Sequence, residues 1–289
     1  MKISKFILAL FIGFNSFSYA QKTEVNFDKE IASLNIIGQK IISSETNTEK
    51  YKANNSYKIE LKELINQKQS FDFKFDSLST ISILKANNLK IYNWALPLTD
   101  GTFEYFAFLQ IRKSKDKYSI IELTDKSESI KTPENKILTA KNWYGALYYK
   151  IITNKKIGNN YYTVLGWDGN NNLTNKKIID VINMSGSGLI KFGAPTFKMK
   201  KKTKKRMIFE YSENTVMSLK YHEELEKIVF DFLVPASSKL KGVYEYYGPS
   251  LNRFDAFSAG KGKWIYEEDI EIELDRNMKD FFWKDPKEQ

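Results

Sequence analysis

The sequence predicts a mainly β fold in which antiparallel hairpins form a sandwich, barrel or propeller-like stack, preceded by one or two N-terminal α-helices. Three observations carry this. Apolar residues recur at helical spacing before position 70. From Phe71 onward, runs of aromatic and β-branched residues alternate with Asn, Gly, Asp and Lys clusters at intervals of roughly ten residues. One of those runs is apolar on both faces, as a strand covered on both sides requires. The chain divides accordingly into a signal segment at 1–20, a helical segment at 21–70 and an antiparallel β domain at 71–289. The β domain divides further into two related units at about 71–140 and 141–289 if an internal repeat is real.

Lys2 and Lys5, the apolar run from Phe6 to Phe17 and Ser18-Tyr19-Ala20 ahead of Gln21 have the layout of a cleavable secretion signal. The run is shorter than the ~20 residues a spanning helix needs. The expectation is export to the periplasm or the medium, with no membrane-spanning segment after cleavage. Asn26 offers an N-cap, and Ile31, Leu34, Ile37 and Ile41 predict an amphipathic helix over 27–43. Ile59, Leu61, Leu64 and Ile65 predict a shorter second helix, with the Asn- and Thr-rich residues 43–56 as a loop.

Hairpins are expected from Ile81–Leu84 with Leu89–Leu96, from Phe103–Ile111 with Tyr118–Leu123, and from Trp143–Thr153 with Tyr161–Trp167. Further strands fit Lys177–Asn183, Met207–Tyr211, Val216–Tyr221, Ile228–Leu233, Val243–Tyr247, Lys263–Tyr266 and Ile270–Leu274. The two-faced run is Phe103–Ile111, with Phe103, Tyr105 and Leu109 on one side and Phe106 and Phe108 on the other. The repeat pairs Ile81-Ser82-Ile83, Pro97 and Gly101-Thr102-Phe103 with Met217-Ser218-Leu219, Pro235 and Gly242-Val243-Tyr244. Similar hairpins with similar chemistry are the alternative to a duplication.

Among 289 residues there is no cysteine, so neither disulfides nor a lipidated cysteine supports this chain and its stability rests on a core. The formal charge is +10, or +8 once Lys2 and Lys5 are removed, an excess that favours anionic partners weakly.

Catalytic motifs are not found. His222, the one histidine, stands beside the Glu223-Glu224 turn with no Gly-x-Ser-x-Gly elbow to serve, and the glycines of Ser185-Gly186-Ser187-Gly188 flank the serine too closely. One histidine and no cysteine exclude the usual zinc sets. Trp167-Asp168-Gly169-Asn170-Asn171-Asn172 places oxygens at alternate positions, but the sixth and twelfth places hold Leu173 and Ile179 where a calcium loop needs Gly and Glu. No cofactor, metal site or catalytic residue is therefore assigned.

Two binding surfaces are candidates. Lys200, Lys201, Lys202, Lys204, Lys205 and Arg206 form the densest charge run and an anion-binding candidate. The absence of stacking aromatics inside the run argues against nucleic acid, and a solvated hairpin tip that guards strand edges is the plain alternative. Trp143, Tyr148, Trp167 and Asp168 head an aromatic cluster that would stack on sugar rings if exposed and is core if buried. A glycoside-cleaving reading would draw its acid and base from Asp168, Glu245 or Asp255. The acidic segment from Glu267 to Asp275 alternates with Ile270, Ile272 and Leu274, as a half-exposed strand does. An outer-membrane barrel would need consistently apolar lipid-facing positions, which the Lys-rich strands lack.

The stretches Ser70-Phe71-Asp72-Phe73, Ile91-Tyr92-Asn93-Trp94, Asp100-Gly101-Thr102-Phe103, Leu165-Gly166-Trp167-Asp168-Gly169, Phe209-Glu210-Tyr211-Ser212 and Tyr247-Gly248-Pro249-Ser250 resemble those of a family of uncharacterised exported bacterial proteins. The resemblance implies a self-contained module and brings no activity. The sequence thus reads as a non-catalytic exported β protein, binding or envelope-associated, with an envelope polysaccharide or another envelope protein as the partner classes. Its rival is a carbohydrate-binding or carbohydrate-active protein.

Overall fold

The computed structural model describes residues 25–115, 117–186 and 188–271, and the signal expected at 1–20 lies outside them. The predicted first helix is present as α1 (Phe27–Ser43). The Asn26 side chain accepts from the Lys29 amide at 3.1 Å, and Ile31, Leu34 and Ile41 are buried.

The second helix, α2 (Asn47–Ile65), is longer than expected, because the stretch read as a loop is helical from its first turn. Thr46 and Glu49 close a capping box there. The buried face of that first half is polar, which hid its period: Lys50 Nζ donates to the Ile42 carbonyl at 2.7 Å, and Asn54 Oδ1 accepts from Trp94 Nε1 at 2.7 Å.

Three sheets follow. The first is a meander of β1 (Ser82–Ala86), β2 (Leu89–Pro97), β3 (Phe103–Ser114) and β4 (Lys117–Thr124). The second contains β5 (Leu138–Thr139), β6 (Leu147–Ile152), β7 (Tyr161–Asp168), β8 (Thr174–Met184) and β9 (Ile190–Phe192) in the order β5-β9-β8-β7-β6. The third contains β10 (Phe197–Lys198), β11 (Thr203–Lys204), β13 (Leu219–His222), β14 (Lys227–Pro235), β15 (Tyr247–Gly260) and β16 (Lys263–Glu267), while β12 (Met207–Ser212) joins β8 in the second sheet. In the third sheet the order is β11-β10-β16-β15-β14-β13, and β10 runs parallel to β16 where the other ladders are antiparallel.

Alternation along the strands stacks these sheets into a sandwich. On the first sheet Tyr92, Trp94, Leu96 and Phe108 meet Ile31, Leu34, Tyr57 and Leu61 of the helices. The opposite side of that sheet, with Leu89, Ile91, Tyr105 and Leu109, packs on Tyr148, Tyr162, Val164 and Ile178 of the second. The far side of the second sheet, with Leu165, Ile179 and Val181, packs on Leu219, Ile228, Phe230, Phe257 and Trp264 of the third. The layers are thus helices, first sheet, second sheet, third sheet, and β3 is covered on both faces as its composition predicts. Of the three expected architectures, the sandwich is the one adopted.

The third sheet departs from the sequence reading in one place. Val243–Tyr247 was expected as a strand, yet Tyr244–Tyr246 is a turn of 3-10 helix and the strand begins at Tyr247. The signal for β15 was masked by Gly248, Pro249 and Asn252, which a strand tolerates because the β14 pairing is bulged between Asp231 and Leu233. The strand expected at Ile270–Leu274 falls mostly outside the described residues. The first and third sheets share a four-strand meander whose second strand ends on proline, with Pro97 opposite Phe103 and Pro235 opposite Tyr247. The correspondence stops at the next turn, because Gly101 lies two residues from its strand and Gly242 five from its own.

Candidate anion-binding surface

The aromatic cluster is interior. Trp143 and Tyr148 are 0% exposed and Trp167 is 1% exposed, so none presents a face to a sugar. Trp143 Nε1 donates to Tyr148 Oη at 2.8 Å, Tyr148 packs between the first and second sheets, and Trp167 meets Phe103 edge-on. The physical reason is packing: Tyr148 on β6 and Trp167 on β7 lie under the first sheet, and Trp143, just before β6, bridges to Asp125 and packs into the same interior.

Asp168 is buried with them. It accepts from Tyr105 Oη at 3.0 Å and from the Asn170 amide at 2.8 Å, and Lys176 Nζ lies 3.9 Å away. Burial pushes its carboxyl up, against the pull of Lys176. Tyr105 Oη also accepts from the Gly169 amide, so the group is a clasp that closes the β7–β8 turn onto the first sheet. Of the other carboxylates named for glycoside cleavage, Asp255 is buried in the third sheet under Arg253, Tyr266 and the Asp269 amide, and Glu245 lies in the 3-10 turn. Asp168 thus lies in the second sheet, Asp255 on β15 of the third and Glu245 in the turn that leads into β15, and the two buried carboxylates are engaged in structural hydrogen bonds.

The basic run splits. Lys200, Lys201 and Lys202 form the exposed tip of the β10–β11 hairpin, where the Met199 amide bonds the Lys202 carbonyl at 2.8 Å and Lys200 reaches Glu268 at 2.6 Å. Lys204 and Lys205 are half-buried, with Lys204 3.8 Å from Glu134 and Lys205 Nζ on the Asn135 carbonyl at 2.7 Å. Arg206 is not part of the surface. It is 0% exposed, donating from Nε to Asp180 at 2.7 Å and from Nη1 to the Pro133 carbonyl at 2.7 Å. It lies between β11 and β12 and is held against the second sheet by these bonds, where burial raises the Asp180 carboxyl and the Arg206 guanidinium opposes that shift.

What the run loses in Arg206 it gains from its neighbours. The loop 130–141 docks beside it, with Leu138 opposite Phe192 and Thr139 opposite Lys191, and brings Lys131, Lys136 and Lys141 to the same edge. Leaving aside the buried Arg206, segments 130–141 and 188–206 together hold ten lysines and one carboxylate, Glu134. Lys131, Lys136, Lys141, Lys191 and Lys198 are exposed there along with the hairpin tip. This gathering was missed in the sequence because Lys131, Lys136 and Lys141 lie some sixty residues upstream of the run, brought in by two-residue strand pairing that no propensity marks.

A cleft of about 530 Å³ lies between α2 and the ends of β3 and β4. Its carboxylates hold the fold: Glu104 accepts from Tyr51 Oη at 2.6 Å, Glu122 pairs with Lys58 at 2.5 Å, and Asp125 accepts from the amides of Tyr105, Ser127 and Gly145. Among the described residues no group of three or more acidic or histidine side chains is placed to hold a metal ion, and no helix is long and apolar enough to cross a membrane.

Fold and surface together define a helix-covered, three-sheet β sandwich with one basic edge. No family model matches the chain, and neither curated proteins nor solved structures yield a match.

Proposed function

We propose that this chain is an exported, non-catalytic binding module that associates with an anionic component of the cell envelope through the edge built by β5, β9 and the β10–β11 hairpin. The observation that carries the reading is the concentration of ten lysines against one carboxylate, Glu134, in the two segments that build that edge. Scattered lysines on a balanced surface would give only weak, unspecific attraction, whereas a one-sided concentration steers and orients an anionic partner. Most of the charge stays exposed: among the described residues, Lys200 pairs with Glu268 and Lys204 with Glu134.

Retention of the chain from Gln21 onward on a heparin column tests this. Binding should weaken linearly in log affinity against log salt, with a slope that falls when Lys200, Lys201 and Lys202 are changed to Gln. Elution at the same salt for wild type and variant, or passage of both without retention, would sink the proposal.

A further inference from the structure

Beside the basic edge lies an apolar groove of about 280 Å³, lined by Ile121, Ala140, Leu189 and Ile190 and rimmed by Lys141. It occupies the seam where β4 of the first sheet meets β9 of the second. Leu138, Ile190 and Phe192 point into the core, so alternation turns Ile137 and Leu189 outward, and they are 50% and 57% exposed. Leu189 lines the groove, Ile137 lies on the same outward side of the β5–β9 pair, and open apolar side chains beside a groove mark an interaction site. The cations stand close around them. Lys191 is paired with Thr139 across the ladder, and Lys113 Nζ comes within 3.5 Å of the Cβ position of Gly188, next to Leu189.

We infer that this face docks on an anionic lipid surface, with Leu189 and Ile137 entering the acyl boundary and Lys113, Lys141 and Lys191 meeting headgroup phosphates. The inference deepens the binding reading above and rests on it. Charge complementarity selects the occupant. A purely polar polyanion would make use of the lysines but gain nothing from two exposed aliphatic side chains, whereas a lipid headgroup region offers negative charge and hydrocarbon at adjacent depths. An apolar protein partner would be repelled by none of the lysines but would leave them unpaired and partly desolvated.

The test uses sedimentation with vesicles of pure phosphatidylglycerol and of pure phosphatidylcholine, run beside the heparin column. Wild type should bind the anionic vesicles and not the neutral ones. The double variant Leu189→Ser, Ile137→Ser should keep its heparin retention while losing vesicle affinity by at least about tenfold, the effect expected for withdrawing aliphatic burial. Because both positions are exposed, folding is retained, and Leu189→Trp gives an independent reading: brominated phosphatidylglycerol should quench more fluorescence in it than in wild type.

Vesicle affinity unchanged in the double variant, or no added quenching in Leu189→Trp, would overturn insertion. Heparin retention without vesicle binding would overturn this inference and leave the binding reading standing. Loss of both would remove the two together.

Discussion

The aromatic hairpin β6–β7 and the basic edge at β5, β9 and β10–β11 belong to the same body, and each stood out in composition, yet one is interior and the other is surface. Trp143, Tyr148 and Trp167 are packed against the first sheet at and beside β6 and β7, and their exposure is at most 1%. The lysines occupy short strands, their connecting loops and the β10–β11 tip near the sheet margins, where most of their side chains are exposed. A cluster of one residue type acquires its role from what packs over it, and long-range packing that no local pattern reveals decides that. Arg206 shows the same lesson inside one run, since it lies one residue from Lys205 and yet is buried.

The largest effect that would break this contrast is at Arg206. Changing it to Ala leaves Asp180 buried without its partner and frees the Pro133 carbonyl that anchors the basic loop, so unfolding stability should fall by about 3–5 kcal/mol. The double variant Arg206→Met, Asp180→Leu should recover much of that loss, because replacing both members of a buried pair costs far less than orphaning one. Chemical denaturation of the three proteins measures both. A loss no greater than that of a surface lysine variant would show that Arg206 belongs with the exposed run after all.

Trp143→Ala should cost about 3–5 kcal/mol through the cavity left between the first and second sheets and the loss of its bond to Tyr148. A mild loss, below about 1 kcal/mol, would mean the ring faces solvent.

Much of the fold was legible in the sequence where periodicity carries the information. The first helix, the two-sided apolar strand β3 and the hairpins of the first sheet were all anticipated from spacing alone. What stayed hidden depends on partners distant in sequence. The first half of α2 buries Lys50 and Asn54, which look solvated until the Ile42 carbonyl and Trp94 are seen to receive them. β15 carries Gly and Pro that a bulged pairing absorbs. The site was legible only in half: the Lys200–Lys205 run announced itself, whereas Lys131, Lys136, Lys141 and Lys191 reach the same edge through the β5–β9 pairing.

A buried lysine offers a third comparison with the exposed ones. Lys90 Nζ donates to the carbonyls of Ser70 at 3.0 Å and Phe73 at 2.8 Å and lies over the Phe75 ring, and burial pulls its pKa down to about 7. In the unfolded chain a lysine titrates near ~10.4, so between the two values the unfolded state binds the extra proton and stability rises with pH. Lys90 therefore weakens the fold below about pH 7 and its penalty is relieved on going toward pH 10. Above that range the buried tyrosines Tyr57, Tyr92, Tyr105 and Tyr148, whose pKa values burial raises, hold protons that the unfolded chain releases, and stability declines again. Subtracting the curve of Lys90→Met from that of wild type isolates the lysine. A flat difference between pH 7 and 10 would show that Lys90 is charged throughout.

The smallest effect on stability, and the sharpest on function, belongs to the hairpin tip. Lys200, Lys201 and Lys202 lie in solvent, and one ion pair, to Glu268, engages them in the structure. Exposed pairs of this kind contribute little because water and salt screen them and two long side chains must be ordered to form them. Changing all three to Gln should leave the thermal midpoint unmoved while lowering the salt at which the protein leaves heparin, so that stability and binding separate cleanly at this site. If the midpoint fell together with the elution salt, the tip would be contributing to the packing of β10 on β16, and the weakened binding would report a loosened edge in place of lost charge.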